Sequence, residues 1–194
     1  MKQLTRANLI AFFAIFSVSC FSLLFLISPL YSKSTDLLDQ QPEPLAIAAL
    51  TNKVREVKEL PPLTWNDKLA QAARHKAQDL NNNNYFSHTS PAGRQFTRWI
   101  DEVDYDYQII GENLAADYQT NRDMMKAWMD SATHRENILN AKYREIGVAV
   151  IMGNLNGREQ LIIVQIFGTP KKLIISESFS GYNNFPYHNT TATV

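Results

Sequence analysis

Six side chains in this sequence are of types, and in places, that could carry chemistry: His88, Glu112, Ser131, His134, Asn137 and Gln165. His88 stands in YFSHTSPAG and Glu112 in GENLA; Ser131, His134 and Asn137 fall within WMDSATHRENIL, from Trp128 to Leu139. The chain has only four histidines, and His88 and His134 both lie in or beside loops, where binding residues concentrate. Thr133 and Glu136 fit a capping box, with Thr133 as N-cap and His134 as the first helical residue. Ser131 is an alternative cap that would place His134 in the first turn. In either case the positive end of the helix disfavours imidazolium, and a neutral imidazole can bind a metal or accept a proton. Each candidate also has a structural reading. Glu112 could be satisfied by backbone N–H groups or an arginine, beside a glycine that permits close backbone approach. His75 reads as a solvated helix histidine and His188 as incidental. Trp128, Met124, Met125 and Met129 read as core.

Other chemistries are set aside. The sequence has no GxSxG elbow, no HExxH and no glycine-rich phosphate loop. A paired-carboxylate glycosidase would need a second acid near Glu112. Nineteen basic and nineteen acidic residues balance, which gives no reason to expect nucleic acid.

The elements that must position these residues follow from periodicity. Leu45, Ala49, Leu50, Val54 and Val57 make a helical stripe stopped by Pro61-Pro62. Asn66 caps a second helix with Leu69, Ala73, Ala77 and Leu80 on one face, ended by Asn81 to Asn84. FSHTSPAGR is a loop, Gln95 to Glu102 a third helix, DYQIIGENLAA a short apolar run, RDMMKAWM a fourth helix, and a short fifth begins near Thr133. REIGVAVIM and EQLIIVQIFG form a hairpin about Asn156-Gly157, with Ile146, Val148 and Val150 on one face and Ile163, Gln165 and Phe167 on one face of the partner. Gln165, polar within an apolar strand, calls for a specific partner. Helices come first and the sheet forms late from these two strands, an α+β arrangement.

Residues 9–30 carry no charge. As a helix they would span about 33 Å, enough for a bilayer core of ~30 Å. Lys2 and Arg6 precede them and orient the rest of the chain outside the cytoplasm. Leu30-Tyr31-Ser32 makes a poor cleavage site, so a single-pass anchor is favoured over a cleaved signal, with secretion as the alternative. Cys20, the only cysteine, sits in this segment; the apolar run continues past SVSC, which argues against lipoprotein processing. The exported part has no disulfide framework. The expected organisation is an anchor or signal segment over 1–32, a linker over 33–44, a domain over 45–169 and an irregular tail over 170–194.

Taken in order, LTWNDKLAQAARHKAQDL, YFSHTSPAG, GENLA, AWMDSATHRENILNAKYREIGVAV and VQIFG resemble the CAP superfamily (cysteine-rich secretory proteins, antigen 5, pathogenesis-related 1) in its bacterial SCP-domain branch. The resemblance implies a three-layer α-β-α sandwich with a cleft lined by two histidines and two acids. His88, Glu112 and His134 match three of those positions. The second acid falls at Ser131, a departure from the pattern. Asn113, Asn137 and Gln165 would support the cleft. Two imidazoles and one carboxylate can hold zinc, or another divalent cation, with water in an open position, so His88 and His134, with Glu112 as a third candidate, are the expected metal ligands.

The family does not fix an activity. One reading is a non-enzymatic module tethered to the cytoplasmic membrane through residues 9–30 that binds a divalent metal and an envelope lipid or glycan, or a protein. The alternative is a metal-dependent hydrolase, peptidase-like, acting on envelope or extracellular substrates. A Ser131–His134 nucleophilic pair is a third, weaker arrangement. Oligomeric state is not legible in the sequence.

Overall fold

The computed structural model describes residues 36–171. The apolar segment 9–30, Cys20, His188 and all but the first two residues of the expected tail lie outside the described residues. Among the described residues no helix is long and apolar enough to cross a membrane. The chain divides into two units, 1–40 and 41–194. In the first, the described part is a one-turn 3-10 helix, Leu37–Asp39, capped by the Asp36 carboxylate, which accepts from the Leu38 N–H at 3.1 Å. It falls within the stretch expected to be a linker.

The second unit begins with α1, Pro44–Val57, with proline in its first turn, where a missing N–H costs nothing. The helix ends before Pro61-Pro62, as Glu59 turns left-handed at φ 55°. Its buried face differs from the expected stripe. Ile47, Ala48, Leu50, Thr51 and Arg55 point inward, while Leu45 and Val57 are 66% and 73% exposed. The reason is polar. Arg55 donates to the carbonyls of Pro61, Ile138 and Asn140, and Thr51 has partners inside the sheet layer, so a face ranked by hydrophobicity alone was rotated.

A two-residue strand, β1 (Thr64–Trp65), leads into α2 (Asp67–Asn82). Asn66 caps α2 as expected, accepting from the N–H groups of Lys68 and Leu69. Leu69, Ala73, Ala77 and Leu80 are fully buried; each leucine is worth roughly 1.5–3 kcal/mol on burial. The asparagine run ends the helix at Asn82, and two of its side chains then accept the N–H groups of Asn154 and Asn156 at 2.8 and 2.7 Å. After the loop, α3 (Thr97–Asp101) lies inside the expected 95–102.

DYQIIGENLAA contains a ten-residue strand, β2 (Tyr107–Ala116), which corrects the two-strand expectation. Then come α4 (Asn121–Asp130), α5 (Ala132–Leu139), β3 (Glu145–Leu155) and β4 (Arg158–Pro170). The sheet has the order β1-β3-β4-β2, with β1 parallel to β3 and the other pairs antiparallel. Asn156 and Gly157, at φ 56° and 80°, make the left-handed turn of the β3–β4 hairpin. Ile146 pairs with Phe167, Val148 with Gln165 and Val150 with Ile163, so the expected faces coincide. Helices α2 and α3 cover the face bearing Ile162, Val164 and Ile166. The opposite face carries Gln165, which meets Thr51 of α1, and Asn113, which meets α5. This is the α-β-α sandwich.

Candidate functional site

Strand β2 is the spine of the site. Glu112 pairs with Ile166 and Asn113 with Gln165, and paired residues share a face. Glu112 therefore points toward the α2 layer, and Asn113 toward the α1 and α5 layer. Consecutive residues serve two sides of one strand.

On the α2 side, the His88 Nδ1 lies 2.7 Å from Glu112 Oε1. The His88 side chain is 54% exposed and that of Glu112 1%, so the imidazole is a lid on a buried acid. Glu112 Oε2 is buried without a hydrogen-bond partner among the described residues. Burial pushes the Glu112 carboxyl above its ordinary range, while the His88 hydrogen bond and the charge of Lys76 pull it back. The sequence offered backbone N–H groups or an arginine as partners for Glu112; the partner is His88.

On the other side a chain of neutral donors crosses the sheet. Tyr143 OH donates to Asn137 Oδ1 at 3.4 Å. Asn137 Nδ2 donates to Asn113 Oδ1 and to the Glu112 carbonyl, at 2.9 and 3.0 Å. Asn113 Nδ2 donates to Gln165 Oε1 at 3.1 Å and to the His134 carbonyl at 3.2 Å. Gln165 Nε2 donates to Thr51 Oγ1 at 2.8 Å, and Thr51 donates to the Ile47 carbonyl. Asn113, Asn137 and Gln165 are thus joined, and the network grips the backbone of His134 directly. Gly111 lets it close, since a Cβ there would stand 2.2 Å from Tyr143 OH.

Ser131 both ends α4 and caps the start of α5, so Thr133 is helical rather than the cap, and His134 falls in the first turn. The Ser131 side chain makes no capping bond; its Oγ lies 3.3 Å from Thr133 Oγ1, and the Ser131–His134 nucleophilic pair is not formed. His134 sits 6.4 Å from the Trp128 ring. Loss of solvent first, and the charge of His88 second, hold its pKa below the usual histidine value, which favours the neutral ring. Trp128 is buried, as expected of core, and donates to the Leu114 carbonyl at 3.1 Å.

Beside His134 lies an open groove of about 290 Å³, lined by Phe86, Leu114, Tyr118, Ala127, Trp128 and Ser131, among others. Its walls are largely apolar, with His134 and Ser131 as the polar end. For a metal, the donors offered are two imidazoles. Among the described residues no three His, Cys, Asp or Glu side chains converge as a metal-binding group, and Glu112 is engaged with His88. A carboxylate on one ring nitrogen orients an imidazole for ligation through the other, and His88 with Glu112 has that arrangement.

Sequence reasoning missed four contributors: Thr51, Arg55, Lys76 and Tyr143. Three had a signal. Thr51 and Arg55 stand at helical spacing from Ile47 and Ala48, and Lys76 stands in the stripe between Ala73 and Leu80, so each is a polar residue on a buried face.

Comparison with known proteins agrees with this fold. Residues 48–167 match the sequence profile described as "CAP: Cysteine-rich secretory protein family". The chain is 35% identical over 116 residues to "Uncharacterized protein YkwD" of Bacillus subtilis (strain 168), covering 60% of this chain and 45% of that one. It is 35% identical over 104 residues to "Uncharacterized membrane protein YlbC" of the same organism, covering 54% and 30%. The matched region thus spans less than half the length of either relative. The crystal structure of an extracellular protein containing a SCP domain from Bacillus anthracis str. Ames superposes with TM-score 0.56 at 30% identity, over 64% of this chain and 39% of that one.

Proposed function

The chain belongs to the CAP family, the cysteine-rich secretory protein family, and we propose that it is an exported, membrane-tethered binding module whose cleft takes an amphipathic envelope lipid. The observation that carries this reading is the groove itself: apolar walls of Phe86, Leu114 and Trp128 run to a polar end at Ser131 and His134. An acyl chain or ring system suits such walls, whereas a glycan would call for more polar lining. Export is supported by the uncharged segment 9–30, and by kinship with one relative described as a membrane protein and one solved structure described as extracellular.

A divalent cation would be held by His88 and His134, with Glu112 orienting His88 and the neutral state of His134 favouring ligation. Such an ion would supply positive charge for a carboxylate or phosphate headgroup. Metal-dependent hydrolysis has no observation of its own in its favour, because Glu112 is engaged with His88 and Ser131 with Thr133.

The test is binding of the fluorescent fatty acid cis-parinaric acid to the full chain in detergent, beside Ala127→Phe, which fills the groove. Saturable binding in the parent that falls at least tenfold in the variant supports the reading. Equal binding in both, or none in the parent, overturns the lipid assignment.

A further inference from the structure

Helix α2 carries an ammonium where its stripe calls for an apolar residue. Lys76 is 0% exposed. Burying a charge costs several kcal/mol unless it is well satisfied, and a methionine would fill the same space without that cost. What only the ammonium supplies is three directed donors. They go to Tyr85 OH at 2.9 Å, the Ser87 carbonyl at 2.8 Å and the His88 carbonyl at 3.3 Å. The Nζ also lies 4.7 and 4.6 Å from the ring centroids of Tyr85 and Trp99, within cation–π range. Tyr85 in turn donates to Asp79 Oδ2 at 2.6 Å. All three acceptors belong to one stretch, 85–88, the segment that carries His88 out of the α2 layer.

We propose that Lys76 is a positioning residue of the cleft: from inside the core it fixes the backbone of Ser87 and His88 so that the imidazole meets Glu112. Two independent observations converge on it. The donors aim at the His88 loop, and the rings of Tyr85 and Trp99 flank the ammonium and hold it there. The functional half of this inference rests on the reading of the cleft as a binding site; the geometric half does not.

The test compares the ¹⁵N imidazole spectrum of the full chain in detergent with that of Lys76→Met, the His88 signals being assigned through His88→Gln. In the parent, His88 shows one tautomer with the proton on Nδ1. In Lys76→Met, His88 loses that single tautomer and shifts while His134 keeps its signals, and zinc affinity falls at least tenfold. A folded Lys76→Met with His88 signals and zinc affinity within twofold of the parent overturns the proposal. If the parent binds no zinc, the metal reading fails while the His88 spectrum still decides the role of Lys76. Should Lys76→Met fail to fold, Lys76→Arg keeps the charge and moves the donors: a disturbed His88 spectrum in folded Lys76→Arg supports the proposal, and an unchanged one overturns it.

Discussion

The two candidate histidines are held by opposite means. His88 stands on a loop, more than half exposed, and is secured by charged groups beneath it: the Glu112 carboxylate and, through its carbonyl, the Lys76 ammonium. His134 stands in the first turn of α5 and is gripped by neutral amides, with Asn113 on its carbonyl and Asn137 and Gln165 behind. The difference follows from place. A loop has few backbone bonds of its own, so directed charge must fix it. A helix arrives preformed and needs only docking, which amides provide without a desolvated charge. One strand serves both, because Glu112 and Asn113 point to opposite faces of β2.

The largest expected effect tests the amide half. Asn113→Ala strips partners from Gln165, Asn137 and the His134 carbonyl at once. Each buried group left unpaired costs about 1–3 kcal/mol, so urea unfolding should show a loss of about 3 kcal/mol or more. A loss under about 1 kcal/mol would mean that the amides do not hold α5. Gly111→Ala should come next, with about 2 kcal/mol lost from overpacking against Tyr143; retention of parental stability would show that Tyr143 moves freely and is not part of the clamp. Tyr143→Phe removes the longest bond of the network, 3.4 Å, and should cost only about 0.5–1 kcal/mol in the same assay.

The smallest effect separates the histidines by pH. His134 has a folded pKa below its unfolded value of about 6.5. As pH falls through that range the unfolded chain takes up the proton first, so this ring makes the fold lose stability with acidification. Unfolding of His134→Gln between pH 7 and 5 should show a shallower loss than the parent. An equal slope in both would show that the ring is not desolvated in the fold. The Glu112 shift acts in the opposite sense but is common to both proteins and cancels.

Most of the scaffold was legible because it is written in apolar periodicity: the α2 stripe, the Asn66 cap and the Asn156-Gly157 hairpin all stand where the residues indicated. Most of what failed has one physical cause. Wherever the interior is polar, hydrophobic pattern misleads. The face of α1 was rotated because Thr51 and Arg55 are buried with partners. Strand β2 was reduced to a short apolar run because Glu112 and Asn113 interrupt it, and both meet side chains from distant elements. The capping box at Thr133 gave way to the alternative cap, Ser131, because α4 and α5 meet at that residue. His88, Glu112 and His134 could be named as candidates from their types and neighbours, but the Nδ1–Oε1 pairing and the support from Lys76 come from residues far apart in sequence.

The central claim is that His88 and His134 form one site. Its most direct test is a zinc titration by isothermal calorimetry on the full chain in detergent, beside the His88→Ala/His134→Ala double variant, with circular dichroism confirming that both are folded. The account predicts saturable binding near one ion per chain in the parent and none in the variant. Undiminished binding in the folded variant, or no binding in the parent, would contradict it.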